Sequence, residues 1–137
     1  MPYSRIWIHL VWSTKHREPL LNSDIRSKLF SFMKTYGKNK DIFIEEINGH
    51  VDHIHCLLRL KTTQSVSQVA KLLKGASSFW VNSEQLLEGK LYWQSEYFAA
   101  SVGESELSRV RKYIRMQEEK HQSFSFEDEL KSFIKNH

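Results

Sequence analysis

The segment that most constrains this chain is "GHVDHIHCLLRL", residues 49–60. From about Asp52 onward it alternates as a strand does, and successive side chains of a strand point to opposite faces. His53 and His55 share one face, about 7 Å apart at Cα. The opposite face is apolar and consists of Ile54, Cys56, Leu58 and Leu60. The pattern predicts a strand with one core face and a second face that carries two imidazoles onto an open surface.

The other segments predict further strands and helices around this strand. The strands are "RIWIHLVW" (5–12), "DIFIEEI" (41–47) and "LYWQSEYFAAS" (91–101), and "NGH" is predicted to form a turn of more than two residues. One helix is capped by Asn22 or Ser23, carries an apolar stripe and ends before Gly37 at its C′ position; the stripe is Ile25, Leu29, Phe32, Met33 and Tyr36. A second helix begins near Thr63 or Ser65, with Lys71 and Lys74 outward and an inward stripe of Val66, Val69, Leu72, Leu73, Ala76 and Phe79.

The order of these elements is β-α-β-β-α-β, followed by two helices. This order predicts an α+β, ferredoxin-like antiparallel sheet with its helices on one face and the other face open. One domain, residues 1–137, is expected, with the ferredoxin-like core at about 3–101. An extra helix at about 103–121 would cross the open face, and a short terminal helix, capped by Ser125, would occupy about 125–135.

Composition narrows the class of protein. The chain has 137 residues and a single cysteine, Cys56, so a disulfide framework is excluded and a reducing cytoplasm is expected. No signal-peptide pattern and no apolar run near membrane-spanning length is present, which predicts a soluble protein with no membrane partner. The net charge of +4 favours a polyanionic partner only weakly.

The histidine pair is a candidate metal or catalytic site, although a strand with ordinary packing or surface histidines has the same pattern. Neutral imidazoles are common metal ligands, but two are too few for a closed site, and Cys56 lies on the wrong face. His9 points away from Ile6, Ile8 and Leu10 of the first strand and is a candidate to support the metal-binding residues without binding the ion itself. His50 is assigned to the turn. Asp52 would point away from the histidines in a regular strand, so it is not predicted as a ligand.

The helix predicted from Gly103 to His121, called here the tyrosine helix, supplies the missing groups. Tyr113 and Gln117 are four residues apart, which places them on the same face about 6 Å apart. A glutamine oxygen can bind a hard cation, and a tyrosine beside a metal can act as a nucleophile. The basic residues around them suit a phosphodiester substrate: Arg109, Arg111, Lys112 and Arg115. A helix with a solvated basic surface would look similar.

Together these motifs resemble those of a known family. "DHIH" resembles the HUH motif (histidine, hydrophobic residue, histidine), and Tyr113 with Gln117 after "WQSEYFAASVGES" resembles the single-tyrosine transposases of the insertion-sequence 200/605 type. "VWSTKHREPLL" and "KLLKGASSFW" resemble that family's first strand with its loop and its second helix. The resemblance extends from Tyr3 to about His121.

The resemblance implies a metal-dependent endonuclease and strand transferase for single-stranded DNA. His53, His55 and Gln117 would hold Mg²⁺ or Mn²⁺, and Tyr113 would form a 5′-phosphotyrosine. The substrate would carry imperfect hairpins at the ends of an insertion sequence. The protein would be a homodimer whose tyrosine helix can act in trans. Candidate DNA contacts, besides the basic residues of that helix, are Lys15, His16, Arg17, Lys71 and Lys74.

Three alternatives remain open from the sequence. A ferredoxin-like module could hold hairpin or single-stranded nucleic acid without cutting it. A metal-dependent hydrolase could release its product to water with no covalent step. A host-domesticated relative of the transposases would carry the same motifs.

Overall fold

The computed structural model describes residues 3–117. The predicted terminal helix at about 125–135, and the end of the tyrosine helix beyond Gln117, lie outside the described residues. The elements are β1 (Ile6–Ser13), α1 (Ser23–Asn39), β2 (Phe43–His50), β3 (His53–Leu60), α2 (Val66–Ser83), β4 (Phe98–Val102) and α3 (Leu107–Arg115). Single 3₁₀ turns occupy Lys15–Arg17 and Glu104–Glu106.

The strands form one antiparallel sheet in the order β2-β3-β1-β4. β1 and β3 are therefore the central neighbours, and Val11 pairs with His55 in their register. The predicted α+β, ferredoxin-like arrangement is confirmed. Among residues 3–117, no helix is long and apolar enough to cross a membrane.

One face of the sheet packs on α1 and α2. The apolar side chains of β3 lie in this core with Leu10 and Trp12 of β1, as the alternation predicts. Both helices begin at a capped residue. Asn22 accepts a hydrogen bond from the backbone N–H of Ile25, and Ser65 forms a reciprocal capping box with Gln68.

The opposite face packs on α3. Leu107, Val110 and Ile114 of α3 are buried against a smaller apolar cluster of the sheet, formed by Trp7, Leu57 and Val102. The tyrosine helix therefore crosses the face that α1 and α2 leave open and covers its central part, as predicted.

The first helix and the following hairpin differ from the prediction at two glycines. Gly37 lies inside α1 and not past its end. A glycine is needed there because a Cβ would stand 2.8 Å from the carbonyl oxygen of Ile42, and its absence lets the chain that leads into β2 approach the helix closely. Asn48, Gly49 and His50 belong to β2 and not to a turn, and the link to β3 is the two residues Val51 and Asp52. Gly49 is needed because a Cβ there would lie 2.2 Å from the carbonyl oxygen of His53.

The second helix buries Val69 and Leu73 as predicted, but the rest of its buried stripe differs from the prediction. Leu72 and Phe79 are exposed, at 43% and 74%, whereas Ala70 and Ser77 are fully buried. The small side chains of Ala70 and Ser77 allow the helix backbone to approach the sheet. A prediction that follows large apolar residues overlooks such positions.

The fourth strand is shorter than predicted. Residues 91–97 make only an isolated bridge between Trp93 and Thr14, and side chains of α2 bind the backbone on both sides of it. Asn82 bonds both the N–H and the carbonyl of Leu91, and Lys74 donates to two carbonyls of this segment, those of Gln94 and Ser95.

Candidate active site

The histidine pair lies on the α3 side of β3. His53 is 0% exposed and His55 is 2% exposed, since α3 covers them. Their ring centroids are 5.0 Å apart. The expectation that both project from the same face is met, but the expectation that they look onto an open surface is not.

Asp52 fixes the orientation of His53. Its Oδ1 lies 2.7 Å from Nδ1 of His53 and accepts the ring N–H. The expectation that Asp52 points away was wrong because it lies in the turn, where strand alternation does not apply. With its proton on Nδ1, a neutral His53 presents a lone pair at Nε2, the form in which a histidine binds a metal.

His9 stands next to His55, as its place on β1 predicts. Its Nε2 is 2.8 Å from Nδ1 of His55, the two rings are stacked, and His9 is fully buried. One of the two nitrogens donates to the other. If Nδ1 of His55 donates, Nε2 of His55 carries a lone pair and can bind a metal.

Tyr113 of α3 and Gln117, two residues past the end of α3, come to the same place within one chain. The ring of Tyr113 lies edge-on to His55 and His9, with centroid distances of 5.7 and 6.1 Å. Gln117 is fully buried. Its amide N–H donates to the carbonyl of Tyr113, which turns Oε1 toward Nε2 of His53 at 3.2 Å.

This donor set fits a divalent cation. Oε1 of Gln117 is an acceptor, and Nε2 of a neutral His53 is an acceptor too, so the two repel each other unless something positive lies between them. A hard cation satisfies both, as would a proton on Nε2. The described residues contain no cluster of three or more histidine, cysteine or acidic side chains that could hold a metal. Two imidazoles and one amide oxygen leave positions for water and a phosphate, as a catalytic ion needs.

The predicted DNA contacts fall into separate groups. Lys15, His16 and Arg17 are exposed in the 3₁₀ turn after β1, where His16 and Arg17 have left-handed φ values of 58° and 52°. Lys71 is exposed on α2. Lys74 is half-buried and holds the 94–95 backbone, and its pKa is lowered by burial, so its predicted outward position is wrong.

The arginines of α3 have protein partners. Arg111 donates to Glu45 at 2.7 Å, Arg115 donates to Glu46 at 3.0 Å, and Arg109 pairs with Glu106 at 2.7 Å. The hydrogen bond with Glu46 raises the pKa of Arg115. Lys112 is exposed. The first two pairs join α3 to β2, a role that the sequence analysis did not assign to them.

Sequence reasoning missed Asp52, Glu45, Glu46 and Asn48. The signal available for the first was its position directly before the histidine pair. For the glutamates, the signal was two adjacent acidic residues in a strand, since one of them would have to enter the apolar core if the strand were regular. No feature of the sequence identified Asn48 as a residue that contacts α3.

The central strand of this ferredoxin-like sheet carries a buried histidine pair. A helix with a tyrosine covers the pair, and a glutamine just past that helix contacts it. This combination defines a class of DNA-processing proteins. The chain belongs to the family "Transposase IS200 like", whose model matches residues 2–117. This family carries out DNA transposition.

Individual relatives agree with this assignment. The chain is 28% identical over 117 residues to the ISDra2 transposase TnpA of Deinococcus radiodurans, covering 82% of this chain and 84% of that protein. It is 29% identical over 115 residues to the transposase for insertion sequence element IS200 of Salmonella typhimurium, covering 80% and 74%.

Solved structures share the fold. A transposase crystal structure from Deinococcus radiodurans R1 matches with a TM-score of 0.69 and 22% identity, over 85% of this chain and 93% of the other. A REP-associated tyrosine transposase bound to a REP hairpin matches with a TM-score of 0.62 and 17% identity, over 88% and 72%.

Proposed function

We propose that this protein is a metal-dependent endonuclease and strand transferase that cuts and rejoins single-stranded DNA through Tyr113. The observation that carries the proposal is the meeting of Tyr113 and Gln117 with His53 and His55 in one buried site. These residues come from elements far apart in the sequence. A surface helix with an incidental tyrosine would not need a buried glutamine directed at a histidine.

In the proposed reaction, the hydroxyl oxygen of Tyr113 attacks the scissile phosphorus. A bond forms between that oxygen and phosphorus, and the bond from phosphorus to the 3′ oxygen breaks. The proton lost by the tyrosine balances the one gained by the 3′ oxygen, which leaves as a 3′-OH. The 5′ end stays linked to Tyr113, so a second 3′-OH can attack it and reseal a strand without ATP.

His53, His55 and Gln117 would hold Mg²⁺ or Mn²⁺. Such an ion, when bound, polarises the scissile phosphate and stabilises charge on the leaving oxygen. Asp52 and His9 keep the imidazoles in the orientation and tautomer that this requires. An unperturbed tyrosine has a pKa of about 10, so at neutral pH its hydroxyl must lose its proton during the attack.

The proposed substrate is single-stranded DNA that folds into an imperfect hairpin. The structural relative that carries a REP hairpin supports this choice, and so does the charge of +4. The exposed Lys15, His16, Arg17 and Lys71 are the DNA contacts we propose, together with Lys112.

One assay separates this function from the alternatives. The protein is incubated with Mn²⁺ and hairpin DNA labelled at the 5′ or the 3′ end, and the mixture is then denatured. We expect a protein-linked band with the 3′-labelled DNA only, absent in Tyr113→Phe. Cleavage that survives Tyr113→Phe would indicate a hydrolase, and binding without cleavage in any metal would indicate a binding module.

A homodimer with exchanged tyrosine helices stays a prediction. In the described chain, Tyr113 lies beside its own His55. Mixing two inactive variants, Tyr113→Phe and His53→Ala, tests the arrangement. Restored covalent product requires a site built from two chains, whereas no restoration indicates that each chain uses its own tyrosine.

A further inference from the structure

β2 contains a bulge that turns two consecutive glutamates toward α3. Its pairing with β3 passes from Ile44 opposite Leu58 to Glu46 opposite Leu57, so Glu45 is the extra residue. In a regular strand these two side chains would point to opposite faces, and one would enter the core. The bulge re-aims Glu45, and both carboxylates bind arginines of α3.

Asn48 adds a third contact at the end of the helix. Its amide N–H donates to the carbonyl of Arg115 at 3.0 Å, while its Oδ1 accepts from the N–H of Gly49 at 2.9 Å. The last carbonyls of a helix have no partner within the helix, so Asn48 satisfies one of them. Asn48 also pairs with His55 in the sheet. The sheet residue beside the histidine pair thus holds the chain two positions before Gln117.

The apolar contacts of α3 leave its rotation weakly determined. A helix of nine residues is not stable alone in water. Its buried residues, Leu107, Val110 and Ile114, form a single line along the helix. Arg111 and Arg115 form a second line beside it, and two lines of contact fix the rotation that one line does not.

We infer that Glu45, Glu46 and Asn48 of β2 are positioning residues for the nucleophile, called here the β2 clamp. They set the rotation and depth of α3 and so place Tyr113 and Gln117 against the histidine pair. Their contacts in the structure are with α3, and they are not among the residues we propose to bind DNA or metal. The inference rests on the proposed function for its catalytic consequence, but the position of α3 can be tested without it.

The test uses the double variant Glu45→Gln/Glu46→Gln in the full chain. The amides of Arg111–Arg115 should exchange with solvent about tenfold faster, the factor expected when two partly exposed ion pairs are lost. The amides of β1 and β3 should keep their exchange rates. Glu106→Gln is the matched control, because its ion pair lies within the α3 region and does not reach the sheet; it should leave exchange unchanged.

The catalytic readout is the rate of covalent product at saturating hairpin DNA. We expect about a tenfold slower rate, while hairpin affinity is unchanged or higher, because the variant has lost two negative charges. Slower chemistry without weaker binding separates positioning from substrate binding. Exchanging the charges of one pair, Glu45→Arg with Arg111→Glu, should restore part of the rate that Glu45→Arg alone loses.

Unchanged exchange in α3, or an unchanged rate in the double variant, would overturn the clamp. If the wild-type protein forms no covalent product, the proposed function fails instead, and the exchange measurement still decides whether β2 positions α3.

Discussion

Oδ1 of Asp52 lies 2.7 Å from Nδ1 of His53, and Nε2 of the same ring faces Oε1 of Gln117 at 3.2 Å. The imidazole thus lies between a carboxylate and an amide oxygen, and its proton is held on the carboxylate side. Nε2 of His53 and Oε1 of Gln117 point toward one another, and we propose that both bind a divalent cation.

Replacing Asp52 should weaken metal binding without unfolding the protein. We expect Asp52→Ala to lower Mn²⁺ affinity about 10–100-fold, since outer partners of metal-bound histidines have effects of this size. Electron paramagnetic resonance of free Mn²⁺ measures the affinity. Asp24→Asn, which changes an exposed carboxylate paired with Lys28, is the control and should bind Mn²⁺ as the wild type does. Equal affinity in Asp52→Ala would refute the proposed role.

His9 should affect metal binding through its hydrogen bond with His55. His9→Leu removes the hydrogen-bond partner of Nδ1 of His55, and we expect about tenfold weaker Mn²⁺ binding. His9→Gln keeps an oxygen acceptor at this position and should retain most of the affinity. Circular dichroism checks that both variants are folded. Wild-type affinity in a folded His9→Leu protein would contradict the assignment.

Gly49 should be intolerant of any side chain. The Cβ of alanine would lie 2.2 Å from the carbonyl oxygen of His53, so β2 and β3 must separate. We expect Gly49→Ala to lower the free energy of unfolding by about 3 kcal/mol, within the range for strained core changes. Gly89→Ala meets no atom within 4 Å and should change it by less than about 0.5 kcal/mol. Urea denaturation compares the two, and similar values for both would contradict the packing described.

Cys56 should make the protein less stable at alkaline pH. Burial raises the pKa of this thiol, so it stays protonated in the folded state. In the unfolded chain the thiol ionises above about pH 8.5, and stability falls by up to about 1.4 kcal/mol per pH unit beyond that point. Cys56→Ala lacks this contribution. We therefore expect the stability difference between wild type and Cys56→Ala to shrink by about 2–3 kcal/mol between pH 7.5 and 10.5. A constant difference would show that the thiol ionises equally in both states.

Periodicity in the sequence was sufficient to predict the sheet and the faces of its central strands. His53, His55 and His9 fall on the predicted face because a strand buried on one side leaves little freedom in register. Where the chain departs from regular geometry, alternation fails. Asp52 lies in a turn, and Glu45 lies in a bulge. The segment before β4 is held by side chains of α2, which no local pattern reveals.

The α3 arginines show a second limit of sequence reasoning. Arg111 and Arg115 look like phosphate ligands in the sequence, but each has a carboxylate partner on β2. Ion pairs between elements far apart in the chain depend on the tertiary arrangement. The proximity of Tyr113 and Gln117 could be predicted from helical spacing, although α3 ends at Arg115 and Gln117 lies two residues beyond it.

The central claim, that Tyr113 forms a covalent bond with DNA, has a direct measurement. The protein is reacted with hairpin DNA and Mn²⁺, digested with nuclease and trypsin, and its peptides are analysed by mass spectrometry. The account predicts a nucleotide joined through its 5′-phosphate to Tyr113, together with a free 3′-OH on the released DNA fragment. DNA that is cut while Tyr113 remains unmodified, or a nucleotide found on another residue, would contradict it.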